Sequence, residues 1–257
     1  VPGLHPGVLG RHAAAQPSRP GCVVILFCVP YAGGGKEVFD GVDDLLGPGV
    51  QVRVADLPGR GARYGEPLDQ DMPALVERLA EQTEQFAGEP YALFGYSFGA
   101  VVAYALAVEL EGRGHAPRRL FAGAARAPHL GQGDPVLHEM SDAELVEELH
   151  NFEGTTYEVL SSPELMSVYL PIIRADSRVM ETYQPAPHQL SCPVTAFGGT
   201  SDHRVAVADL AAWMHLGSQG SETRVYEGGH FVLHSRRARL WRAVRADLQL
   251  DAVTTVA

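Results

Sequence analysis

The residues with the clearest chemical meaning are Gly95-Tyr96-Ser97-Phe98-Gly99. They set a serine between two glycines, after an apolar run and before an alanine-rich one. A strand-to-helix turn of this kind lifts the serine hydroxyl out of the chain and toward a helix N-terminus, where developing negative charge is favoured. A side chain at 95 or 99 would collide with the neighbouring strand or helix. The plain alternative is a Gly-Ser turn without chemistry; the strand and helix expected on either side favour a nucleophile.

A serine needs a base, and the base needs a carboxylate to orient it. Downstream of Ser97, two loops following strand-like runs supply both. Gly199-Thr200-Ser201-Asp202 offers Asp202, and Gly228-Gly229-His230 offers His230. Among the 11 histidines, His203 reads as a loop residue beside Asp202, and His234 as a cap or packing residue at the last helix. Asp56 precedes Ser97 and so falls in the wrong order for this kind of site. Acyl transfer also needs two donors for a tetrahedral oxyanion. The backbone N–H of Phe98 is one, and that of Ala32, within Pro30-Tyr31-Ala32-Gly33-Gly34-Gly35, is the other. This glycine-rich loop could instead cradle a phosphate, but it lacks a P-loop ending and dinucleotide spacing.

These residues must be carried by a regular frame. Runs at 22–29, 52–57, 91–96, 119–124, 194–198 and 223–226 read as strands. Helical patterns fall at 38–46, 72–86, 98–110, 205–215 and 235–248. Such alternation predicts an α/β fold with a mostly parallel sheet and helices on both faces. The rhythm breaks for a helical block. Ser141-Asp-Ala-Glu144 is a capping-box start, and two further helices are expected at 163–171 and 172–183. The block at about 131–183 reads as a helical cap inserted into a single domain spanning 22–257. Residues 1–21, with four prolines and no apolar core, read as a loosely held arm rather than a secretory signal.

Composition sets outer limits. The chain has 257 residues, 46% of them hydrophobic, and a formal net charge of −11. That acidity argues against nucleic acid, and no apolar run is long enough for a membrane span. Of 20 basic residues one is Lys36 and the rest are arginine, which reads as coding bias. Cys22, Cys28 and Cys192 form neither a disulfide framework nor a metal-ligand spacing, which points to a reducing, cytoplasmic setting and no bound metal.

Beyond the elbow, further motifs carry a resemblance. They are Pro30-Tyr-Ala-Gly-Gly34, Leu57-Pro-Gly-Arg-Gly61 with Arg63 and Glu66-Pro67, Arg126-Ala-Pro128, Pro171 with Arg174-Ala-Asp176, Glu181-Thr-Tyr183 and Gly228-Gly-His-Phe231. Together they resemble the type II (external, editing) thioesterases of polyketide and nonribosomal peptide biosynthesis, within the α/β-hydrolase superfamily. The Leu-Pro-Gly-Arg-Gly and Arg-Ala-Asp segments are more specific than the serine elbow. Tyr31 departs from the family's usual histidine.

The resemblance implies hydrolysis of acyl groups from the phosphopantetheine arm of acyl or peptidyl carrier proteins, with acyl-CoA as a further candidate substrate and no cofactor. It implies a discrete, monomeric enzyme. Tyr31, Leu160, Met166, Leu170 and Ile173 are the expected walls of a substrate channel under the cap, although plain packing of the cap helices is the stronger reading for most of them. An acidic carrier meeting an acidic enzyme calls for a local positive patch. Arg236, Arg237, Arg239, Arg242 and Arg245, or Arg174 and Arg178, are candidates. The competing functions are a general carboxylesterase or lipase, a catalytically silent hydrolase-fold binding module, and a cyclase domain cut from a larger synthase.

Overall fold

The computed structural model describes residues 23–131, 133, 136–151 and 162–248. The arm expected at 1–21, Cys22 and Leu160 lie outside these residues. Six strands, β1 (Val24–Val29), β2 (Val50–Val54), β3 (Tyr91–Tyr96), β4 (Leu120–Gly123), β5 (Val194–Gly199) and β6 (Glu222–Tyr226), form one parallel sheet in the order β2-β1-β3-β4-β5-β6.

The unbroken hydrophobicity of β1 now has its cause. Ile25, Phe27 and Val29 enter one core, while Val24, Leu26 and Cys28 enter another on the opposite face. A strand covered on both sides needs no polar alternation. The first core is built with α2 (Met72–Thr83) and α3 (Phe98–Gly112), together with Leu210 of α6 (Val207–Ala211). The second is built with α1 (Val42–Leu46), α7 (Val232–Ser235) and α8 (Arg237–Asp247). Trp213 and Trp241 are fully buried, one in each core.

The remaining helices are α4 (Asp142–Asn151) and α5 (Pro163–Glu181). The Ser141–Glu144 capping box is formed. Glu144 N–H donates to Ser141 Oγ at 3.3 Å, and Ser141 N–H donates to the Glu144 carboxylate at 2.8 Å. A third, small core joins Leu145 and Leu149 of α4, Leu137, and Met166, Leu170 and Ile173 of α5. Farther along α5, Val179 belongs to the first main core. One helix therefore joins the inserted segment to the body of the domain.

Several boundaries differ from the sequence reading. The helices expected at 163–171 and 172–183 are a single helix running through Pro171. Proline removes one backbone hydrogen bond, but Leu170, Ile172 and Ile173 are buried around it, and the Ser162 side chain caps the start. The helix expected at 38–46 is a short 3-10 turn, Lys36–Phe39, then α1, separated where Gly41 takes φ 72°. The closing helix starts earlier, at Val232, and breaks at Arg236. The helix expected at 205–215 is α6 followed by a 3-10 turn, Ala212–Leu216. Strand β2 lies earlier than expected, because Val50 and Gln51 pair with Val24 and Ile25 of β1.

Candidate active site

Chain order reverses between β1 and β3, which are neighbours in the sheet. Their C-terminal loops diverge there and leave a crevice, as in open α/β sheets generally. Tyr31–Gly35 leaves from β1 and Ser97 from β3. Ser97 takes φ 53° and ψ −119°, a conformation costly for a residue with a side chain. The surroundings impose it. A Cβ on Gly95 would lie 2.0 Å from the carbonyl oxygen of Gly99, and one on Gly99 would lie 2.2 Å from that of Val29. Both obstacles are backbone, so only glycine permits the turn, as its sequence had suggested.

Asp202 and His230, from the loops after β5 and β6, join Ser97 in one hydrogen-bonded chain, His230 in the middle. His230 Nε2 is 3.2 Å from Ser97 Oγ, and His230 Nδ1 is 2.8 Å from Asp202 Oδ2. The other carboxylate oxygen of Asp202 accepts the N–H groups of Arg204 (2.9 Å) and Val205 (3.2 Å). Burial opposes ionisation of Asp202. The His230 hydrogen bond and charge, with the two backbone donors, outweigh it and hold the carboxyl below its ordinary pKa. The two loops are tied by backbone bonds from Thr200 to Tyr226 and from Ser201 to Gly228.

Of the two expected oxyanion donors, Phe98 follows the serine in the chain and Ala32 shares its cavity. Phe98 is the first residue of α3, so its N–H has no acceptor within the helix. Ala32 lines the same cavity as Ser97 and His230.

That cavity is walled by Tyr31, Ala124, Arg126, Ile173, Met180 and Phe231, among others. Of the expected channel residues, Tyr31 and Ile173 line it. Met166 and Leu170 do not; they pack α5 against Leu137 and α4. The rival residues go elsewhere. Asp56 pairs with Lys36 at 3.3 Å. His234 stacks on Phe231, and its Nε2 is 3.3 Å from the Tyr31 hydroxyl.

Two features escaped sequence reasoning. Tyr96, inside the elbow motif, donates its hydroxyl to the His230 carbonyl at 2.6 Å and accepts from Leu233 N–H at 3.3 Å. Burial, with the nearby Asp202 charge, raises its pKa and keeps it protonated. The second is a partnership between two motifs noted separately. Arg60 forks onto Asp176 with two bonds of 2.7 Å. Both motifs were visible, but 116 residues separate the partners.

Comparison with known proteins fits this geometry. A family model described as a thioesterase domain matches residues 24–248. The gramicidin S biosynthesis protein GrsT of Aneurinibacillus migulanus is 32% identical, over 88% of this chain and 89% of its own. Thioesterase PikA5 of Streptomyces venezuelae is 34% identical, over 92% and 83%. The structure of RedJ, a thioesterase from the prodiginine pathway of Streptomyces coelicolor, superposes with a TM-score of 0.82 at 34% identity, covering 92% of this chain and 91% of that one. The chain belongs to the thioesterase family of α/β-hydrolases, in the type II branch that edits or releases acyl chains in polyketide and nonribosomal peptide biosynthesis.

Proposed function

We propose that Ser97, His230 and Asp202 are the catalytic residues, and that the substrate is an acyl thioester on the phosphopantetheine arm of an acyl or peptidyl carrier protein. The observation that carries this reading is the continuous hydrogen-bonded chain from Ser97 through His230 to Asp202, on a serine held at positive φ. Ser97 Oγ attacks the thioester carbonyl carbon while its proton passes to His230 Nε2. The carbonyl oxygen becomes an oxyanion held by the N–H groups of Phe98 and Ala32. The C–S bond breaks, and the thiol leaves with the proton from His230. Water then attacks the acyl-serine carbonyl carbon, again giving a proton to His230; the bond from that carbon to Ser97 Oγ breaks, Oγ takes the proton back from His230, and the free acid leaves. Asp202 fixes the orientation of His230 and stabilises its cation.

Helices α4 and α5 act as the cap in this reading, with Ile173 and Met180 presented to the acyl chain. Acyl-CoA shares the same arm and is a second candidate donor. Among the described residues no helix is long and apolar enough to cross a membrane. The free, buried thiols of Cys28 and Cys192 fit action in a reducing cytoplasm; the enzyme is read as a monomer. For carrier docking, Arg236 is engaged with Glu227, Arg237 with the carbonyls of Val38 and Asp40, Arg239 with the Tyr226 ring, and Arg174 with Asp142. Arg178, Arg239 and Arg242 are the exposed arginines of the two groups; with Arg239 against the Tyr226 ring, Arg178 and Arg242 are the better docking candidates.

The test compares one acyl group presented as a carrier thioester, a CoA thioester and a simple oxyester. Wild type is expected to favour the carrier thioester, and Ser97→Ala to lose about 10⁴-fold or more in kcat. Preference for the oxyester would favour a general esterase. Undiminished acyl release by Ser97→Ala would remove the serine mechanism.

A further inference from the structure

The Arg60–Asp176 pair contacts the loop after β1 that follows Ala32, and its geometry gives it a role. Both side chains are about nine-tenths buried. Asp176 Oδ2 accepts the Gly33 N–H at 2.9 Å as well as Arg60 Nη1 at 2.7 Å. Arg60 Nη1 also donates to the Gly34 carbonyl at 3.2 Å, and Arg60 Nε donates to the Pro58 carbonyl at 3.2 Å. The pair thus grips the backbone of the loop after β1 at two consecutive residues, immediately following Ala32. Gly33 has φ 78°, and a Cβ there would lie 2.7 Å from Ile173 Cγ1, so the loop is pressed against α5 as well as bonded to it.

We infer that Arg60 and Asp176 are positioning residues for the oxyanion hole, fixing the Ala32 N–H and tying it to the helix that walls the acyl cavity. This rests on the reading of Ser97 and Ala32 given above and adds to it what orients the second donor. A backbone N–H stabilises an oxyanion only where it is already aimed, and misplacement of about 1 Å costs about 10²-fold in rate. The Ala32 amide belongs to a glycine-rich loop that would otherwise have wide conformational freedom. A forked guanidinium–carboxylate pair is the strongest uncharged-backbone clamp available to it, being both charge-assisted and planar. Asp176 sits on α5 between Ile173 and Ser177, one turn before Met180, and those three residues line the cavity. A shift of α5 caused by an ill-fitting acyl group would therefore move the donor.

The experiment uses Asp176→Ala, Asp176→Asn and Arg60→Lys in the full chain, assayed on the hexanoyl thioester of N-acetylcysteamine. Affinity for a hexyl trifluoromethyl ketone, which adds to the serine as a tetrahedral oxyanion, is measured alongside. The expected result for Asp176→Ala is a kcat lower by about 10- to 100-fold, with KM within about threefold. Ketone affinity should fall in step with kcat/KM. Asp176→Asn should lie between, since its amide oxygen can still accept from Gly33. Arg60→Lys should not restore wild-type kcat, because an ammonium cannot fork. If Asp176→Ala fails to fold, the other two variants give the same readouts. Unchanged kcat, a rise in KM alone, or a loss of kcat with ketone affinity intact would overturn the inference. Ser97→Ala separates the two readings: if it stays active the mechanism fails, whereas if it is dead while the Asp176 variants behave as wild type, only the positioning role fails.

Discussion

The serine turn and the helical segment above it are held in place in different ways. At the turn, backbone meets backbone. Gly95 sits against Gly99, and Gly99 against Val29, with no flexible atom between. The described residues of the helical segment, 137–151 and 162–181, are held by side chains. Glu181 accepts the N–H groups of Leu137 (2.9 Å) and His138 (3.1 Å), and lies 2.6 Å from His138 Nδ1. Arg204 pairs with Glu148 at 3.1 Å, and six buried apolar residues complete a small core. Backbone sterics give a nearly fixed site for bond making and breaking. In the proposed reading, side-chain clamps would let this wall adjust to acyl chains of different shape.

The sharpest way to break this contrast is Gly99→Ala. Its methyl has only backbone to displace, so a destabilisation of about 3 kcal/mol or more is expected, read by urea denaturation. Gly112→Ala, at the end of α3 with open space around it, should be neutral or stabilising by about 0.5–1 kcal/mol. Equal effects at the two positions would remove the steric account.

A smaller, local effect is expected of Glu181→Gln. Weakening a buried carboxylate that holds three polar groups costs about 1–3 kcal/mol. Amide exchange should quicken across 137–151 while β3 and β4 stay protected. In wild type, exchange across 136–151 and 162–183 as slow as in β3 would argue against an adjustable cap. Loss of protection in β3 in the variant would show that the two regions are one cooperative unit.

Asp202 provides a pH-dependent test. Its folded pKa is below the unfolded one, so its ionised form stabilises the protein above the unfolded value, near pH 4. That stabilisation disappears as pH falls through the lowered folded value. The stability gap between wild type and Asp202→Asn should be present at pH 7 and shrink below about pH 4; a gap unchanged down to pH 2 would contradict the assignment. The smallest effect concerns the cysteines. Burial pushes the Cys192 thiol up to about 12, with Glu111 adding to the shift, and burial raises the Cys28 thiol as well. Native protein should leave both unlabelled by iodoacetamide at pH 8, and labelling at the rate of a free thiol would place them at the surface.

Much of the site was legible in the sequence because its parts are local. The elbow is five consecutive residues whose glycines are required by contacts within that turn and with β1, and strand β3 matched its expected limits at Tyr91 and Tyr96. Asp202 and His230 follow strand ends in the order the fold requires. What sequence reading missed depends on distant partners. Nothing near Tyr96 indicates that its hydroxyl will hold the His230 carbonyl. Arg60 and Asp176 each stand in a recognisable motif, but their pairing exists only after the loop following β2 meets α5. The continuity of α5 through Pro171 was hidden for the same reason: local propensity divides the helix, and burial on both sides of the proline keeps it whole.

Covalent labelling tests Ser97 as the nucleophile most directly. A fluorophosphonate forms a stable adduct with an activated serine. Wild type treated to partial inactivation should carry one label, on the peptide containing Ser97, with activity lost in proportion, and Ser97→Ala should take up none. Activity lost while Ser97 remains unlabelled, or activity retained once Ser97 is fully labelled, would contradict the account.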